Sequence, residues 1–82
     1  MESLEEKVSK LLQERFGRRA KVELDSDPDG IIGKVISTRF RGVSTRDRMD
    51  MVYDTLDGSL TPEERRRIVI IGPYTPEETR VD

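Results

Sequence analysis

The side chains in this chain best placed for chemistry are arginines. Arg39, Arg41, Arg46 and Arg48 fall within ten residues, and Arg65, Arg66 and Arg67 are consecutive. Over residues 34–48 these arginines and Lys34 face only Asp47, a local charge of +4. A guanidinium is a permanent cation with a planar fork of donors that matches phosphate or carboxylate oxygens. If a helix begins near Ser44, the four arginines surround a strand-to-helix corner, where free N–H groups also favour an anion. The competing reading is a solvated polar surface, which charge runs commonly are. A third cluster, Asp25-Ser26-Asp27-Pro28-Asp29-Gly30, has the opening of an EF-hand calcium loop. Position 12 of that loop is Ile36 instead of a bidentate Glu. Asp, Pro and Gly are also what a tight hairpin turn requires, and that is the preferred reading, with weak calcium binding as the alternative.

The residue inventory excludes more than it suggests. The 82 residues include no Cys and no His. Disulfides, thiolate nucleophiles, Ser-His-Asp catalysis and Cys- or His-held metals are therefore excluded within one chain. The pairs Glu5-Glu6, Glu63-Glu64 and Glu77-Glu78 are sequence neighbours, which do not face each other on a helix and suit first turns instead. Tyr53 and Tyr74 read as core or boundary side chains. Fifteen Lys and Arg against seventeen Asp and Glu give −2, so there is no global basic field. The longest apolar run, residues 68–71, cannot span a membrane. The expectation is one small, cytoplasmic, non-enzymatic domain over residues 1–82, without a cofactor and as a monomer or weak dimer.

The elements follow from periodicity. Leu4, Val8, Leu11, Leu12 and Phe16 form one helical stripe, with Ser3 as cap and Gly17 at the end. Residues 20–25 alternate as a half-buried strand. The Asp-Pro-Asp-Gly turn then leads into a second strand over residues 31–40, with a bulge or close backbone approach at Gly33. Gly30-Ile31-Ile32-Gly33 has the GxxG form of a phosphate clamp, but it follows three acids and opens a strand, so it is read as part of the hairpin. Met49, Val52, Tyr53 and Leu56 mark a second helix from Ser44 to near Gly58. Thr61-Pro62-Glu63-Glu64 starts a short third helix, with Arg65 to Arg67 in its last turn. Residues 68–71 read as a strand buried on both faces and stopped by Gly72-Pro73, and Thr75-Pro76-Glu77-Glu78 as the same capping solution used again. The order α-β-β-α-(α)-β gives an α/β (α+β) fold: a three-stranded mixed sheet with helices on one face.

The run Val35-Ile-Ser-Thr-Arg-Phe-Arg-Gly42, then Arg48-Met-Asp-Met-Val-Tyr53, Ile68-Val-Ile-Ile71 and Tyr74-Thr-Pro-Glu-Glu78, resembles the BolA-like family in motif and element order. The resemblance implies a fold like the class II KH domain. It also implies two functional classes: partnership with monothiol glutaredoxins through a shared [2Fe–2S] cluster, and DNA binding. The family's RHR is Arg48-Met49-Asp50 here, and its cluster-ligating histidine falls at Arg67, which cannot ligate iron. The leading expectation is a binding module that contacts nucleic acid through Arg39, Arg41, Arg46 and Arg48, and through Arg65, Arg66 and Arg67. The alternative is docking of a glutaredoxin-like protein without an iron ligand from this chain.

Overall fold

A computed structural model describes residues 2–79. Helix α1 (Leu4–Phe16) is capped by Ser3, whose hydroxyl accepts from the Glu6 N–H. It leads into a hairpin of β1 (Lys21–Asp27) and β2 (Gly30–Ile36). Helix α2 (Thr45–Asp57), capped by Ser44, and the short α3 (Pro62–Arg66) return the chain to β3 (Ile68–Tyr74). The sheet order is β1-β2-β3, with β1 antiparallel and β3 parallel to β2. This is the expected mixed sheet. Helix α1 lies over β1, α2 over β3, and the two helices pack on each other.

The hairpin turn sets the register. Asp27 pairs with Gly30 across Pro28-Asp29, so Lys21 pairs with Ile36 at the other end. Asp27 Oδ1 accepts from the N–H groups of Asp29 (2.7 Å) and Gly30 (3.1 Å), so this carboxylate serves the turn. Gly30 has φ 139°, and a Cβ there would lie 2.3 Å from the Arg67 carbonyl oxygen. Glycine is needed on both counts.

Val8, Leu12, Phe16, Ile31, Val35, Phe40, Val52, Leu56 and Ile71 form the centre of the core. The core therefore draws on α1, α2, β2, β3 and the segment after β2. Phe40 explains where β2 ends. The strand stops at Ile36 instead of continuing to residue 40, and Thr38–Phe40 form a 3-10 turn. Ser37 Oγ accepts from the Arg39 N–H, which caps that turn. The turn swings Phe40 inward to meet Phe16 at 4.8 Å between ring centroids.

One alternative is decided and two further expectations are corrected. The bulge lies between Ile31 and Ile32, opposite Val69, and Gly33 marks the close approach alone: a Cβ there would sit 2.3 Å from the Glu23 carbonyl. Residues 68–71 are not buried on both faces, since Val69 and Ile70 are 49% and 50% exposed. Helices α1 and α2 both lie on one side of the sheet, and among the described residues Ile70 and Tyr74 stand exposed on the other. Gly72-Pro73 does not stop β3, which runs to Tyr74. The Ile71 N–H points off the ladder to the Tyr53 hydroxyl (3.1 Å). Pro73 shares that parity, so its missing donor removes no ladder bond.

Tyr53 thus occupies the one donor that Ile71 would offer to a further strand. Tyr53→Phe is expected to cost about 1 kcal/mol in urea unfolding. It should also speed exchange of the Ile71 amide relative to the other β3 amides, read by hydrogen exchange.

Candidate functional site

The parallel pairing separates the two arginine clusters. Ile31 pairs with Ile68 at one end of the sheet, and Ile36 pairs with Tyr74 at the other. Arg39, Arg41, Arg46 and Arg48 follow β2, whereas Arg65, Arg66 and Arg67 precede β3. A seven-residue strand separates them, about 20 Å at the usual rise.

Each corner arginine has its own surroundings. Arg48 is only 9% exposed. Its Nε donates to the Val43 carbonyl at 2.8 Å, and its Nη1 to Glu78 Oε1 at 2.6 Å. It also lies 5.9 Å over the Phe40 ring. Arg41 is ion-paired with Glu77. Arg39 is exposed, and its Nη1 donates to the Arg15 carbonyl (3.2 Å) in the last turn of α1. Arg46 is exposed and has no ion-pair partner among the described residues.

The structure adds cations that the local charge count missed. Arg18 and Arg19 lie between α1 and β1, and Lys21 opens β1 opposite Ile36. They therefore stand at the same end as Arg39. Arg19, Lys21, Ile36, Thr38, Pro76 and Thr79 help to line an open cleft of about 340 Å³ there. The signal for them was the two-residue hairpin turn: pairing 27 with 30 puts 21 opposite 36 and brings 18 and 19 towards 38 and 39.

The segment after β3 closes over this corner. Thr75 is buried, its N–H donates to Glu78 Oε1 (2.7 Å), and its hydroxyl accepts from the Glu78 N–H (3.3 Å). Thr61 and Glu64 make the same reciprocal pair at the start of α3. The repeated Thr-Pro-Glu-Glu is thus one capping box used twice. At the second copy, Glu77 and Glu78 also neutralise Arg41 and Arg48. Hydrogen bonding from Arg41 holds the Glu77 carboxyl below its ordinary value. The Thr75 N–H, then Arg48, do the same for Glu78. Glu64 is held down by the Thr61 N–H and then by Lys7, with which it is bonded at 3.0 Å.

The second cluster divides. Arg65 Nε donates to Asp57 Oδ1 (2.8 Å), and its guanidinium lies 4.7 Å from the Tyr53 ring centroid. Arg66 and Arg67 are exposed without an ion pair among the described residues. The Arg67 carbonyl accepts from the Ile31 N–H (2.7 Å), which ties the end of α3 to the hairpin.

No family model matches this sequence, and no curated protein does. Solved structures do. BolA1 from Arabidopsis thaliana superposes with a TM-score of 0.71 at 18% identity, over 98% of this chain and 100% of that one. A bol-like protein from Babesia bovis gives 0.62 at 23% identity, over 95% of this chain and 90% of that one. The fold is therefore BolA-like, in agreement with the resemblance carried by the motifs. The residues do not fit an iron–sulfur cluster. Arg67 stands at the expected ligand position, and no group of His, Cys, Asp or Glu among the described residues is arranged to hold a metal.

Burial separates a structural arginine from an accessible one. Arg48→Ala is expected to lower stability by about 2 kcal/mol, because it strips partners from the Val43 carbonyl and Glu78. Arg46→Ala should change it by less than about 0.5 kcal/mol. Urea unfolding of both variants checks this. Carboxyls with depressed folded values stabilise the native state above the ordinary carboxylate range and lose that contribution as pH falls through the folded values. Stability should therefore be flat above the ordinary carboxylate range and fall as pH drops through and below it. Glu64→Gln and Glu78→Gln should each flatten that fall.

Proposed function

We propose that this domain is a non-enzymatic binding module that contacts nucleic-acid phosphates through the basic end of its sheet. One observation carries the proposal: cations from the α1–β1 junction (Arg18, Arg19, Lys21), the turn after β2 (Arg39, Arg41) and the start of α2 (Arg46, Arg48) meet at one end. Most acids lie elsewhere. Asp25, Asp27 and Asp29 sit at the hairpin tip, Asp54 and Asp57 in the last turn of α2, and Glu63 and Glu64 in α3. Arg18, Arg39 and Arg46 would make the first contacts, since Arg41 and Arg48 are held by Glu77 and Glu78. Phosphate contact at such a surface follows shape and charge, not base sequence.

The test is a fluorescence titration of a short DNA duplex at several salt concentrations. Four phosphate contacts would weaken binding about a hundredfold between 50 and 200 mM salt. The pair Arg18→Glu with Arg46→Glu should abolish binding and leave the fold intact. Arg66→Glu with Arg67→Glu, about 20 Å away by strand length, should leave it unchanged. Binding retained by the first pair, or insensitive to salt, would sink the proposal.

A second reading places a glutaredoxin-like protein at the opposite end, where Arg66 and Arg67 stand exposed near the hairpin tip. It draws on the BolA-like motifs and fold, and requires no iron ligand from this chain. Amide shifts confined to residues 27–31 and 66–68 on titration with a cluster-free monothiol glutaredoxin would favour it. No shift there would remove it.

A further inference from the structure

On the side of the sheet away from the helices, Ile70 and Tyr74 stand exposed and Ile32 partly so, whereas Ile36 at the end of the same side is buried. Val69, Ile70 and Tyr74 are the exposed large hydrophobic residues among those described, and all three belong to β3. The pairing register aligns Ile70 with Ile32 and Asp25, Gly72 with Lys34 and Glu23, and Tyr74 with Ile36 and Lys21. Gly72 makes room for the Tyr74 ring, since a Cβ there would lie 2.8 Å from Tyr74 Cε2. The result is an open groove of about 500 Å³ between Ile32, Ile70 and Tyr74. Glu23 and Asp25 border it on the β1 side, and Lys34 is already paired with Glu23 at 3.4 Å.

Size and charge decide what fits. Three seven-residue strands offer a face about 23 Å long and about 10 Å between the outer strand axes. That is a few hundred Å², well below the roughly 800 Å² per partner of a stable interface between globular proteins. A second copy of this chain would therefore be held weakly. One helix of about 14 residues is about 21 Å long and 10–12 Å wide, which matches the face. Strand addition at β3 is closed, because Tyr53 takes the Ile71 N–H and Pro73 has none. We propose that this sheet face receives an amphipathic helix of a protein partner. Its apolar stripe lies on Ile32, Ile70 and Tyr74, and Lys or Arg along one flank meets Asp25, which has no ion pair among the described residues, beside the Glu23–Lys34 pair. The helix would complete a second outer layer, as in other folds whose sheets are covered on both faces. This proposal is independent of the basic end.

The test is selection from a display library of 14-residue helices, with apolar residues fixed at one stripe and both flanks randomised. Selected peptides should be enriched in Lys and Arg on one flank, and should shift the amides of residues 23–25, 32–34 and 69–74 in NMR. Ile70→Glu, at an exposed position, should weaken them at least tenfold with the fold intact. Repeating the selection on a variant carrying Glu23→Lys and Asp25→Lys should return acidic flanks. The proposal is overturned if the peptides map elsewhere or if their flanks ignore the charge reversal. It is also overturned if sedimentation shows self-association that Ile70→Glu abolishes, for the face would then belong to a second copy.

Discussion

Pairing β3 parallel to β2 is the constraint on which the rest of the molecule depends. A parallel neighbour cannot be reached by a tight turn, so the chain must travel back the full length of the sheet before β3 can begin. Helix α2 makes that journey and α3 finishes it. Everything encoded just after β2 is therefore at one end, and everything encoded just before β3 is at the other. Two arginine clusters that look comparable along the chain become separate surfaces with different neighbours.

At the β2 end, some arginines hold the fold together and others stand free. Arg48 holds the loop before α2 through the Val43 carbonyl and holds the segment after β3 through Glu78. It is a tie between two parts of the chain and also part of a cationic surface. Arg39 ties the turn after β2 to the last turn of α1, where a cation complements the exposed carbonyls and the helix dipole. Arg46 and Arg18 have no such duties among the described residues. The same residue type thus ranges from buried bracket to free contact within one corner, and local charge density cannot distinguish them.

Much of the fold was legible because its signals are local. The stripe of Leu4, Val8, Leu12 and Phe16, the Ser and Thr caps and the Asp-Pro-Asp-Gly turn each act over a few residues, and each gave its element. The misjudged points depended on the third dimension. Residues 68–71 look like a strand buried twice over, but burial depends on how many layers the chain can supply, and both helices lie on one side. Pro73 looks like a strand breaker, but its harm depends on which edge its nitrogen faces. At the candidate site, the arginines after β2 were visible as a run. Arg18, Arg19 and Lys21 belonged with them only through the hairpin register, and the withdrawal of Arg48 depended on Glu78, thirty residues away.

The separation of charge also bears on how this molecule would meet a charged partner. The two ends of the sheet lie about 20 Å apart, whereas electrostatic influence in physiological salt decays over about 8 Å. A polyanion near the basic end therefore hardly senses the carboxylates at the other, and the net charge of −2 is a poor guide to the encounter. A polyanion meeting the chain at Arg18, Arg39 and Arg46 would be drawn in, and one meeting the hairpin-tip carboxylates of Asp25, Asp27 and Asp29 would be repelled. Orientation would be selected during the approach, before any hydrogen bond forms, by a chain whose overall composition is slightly acidic.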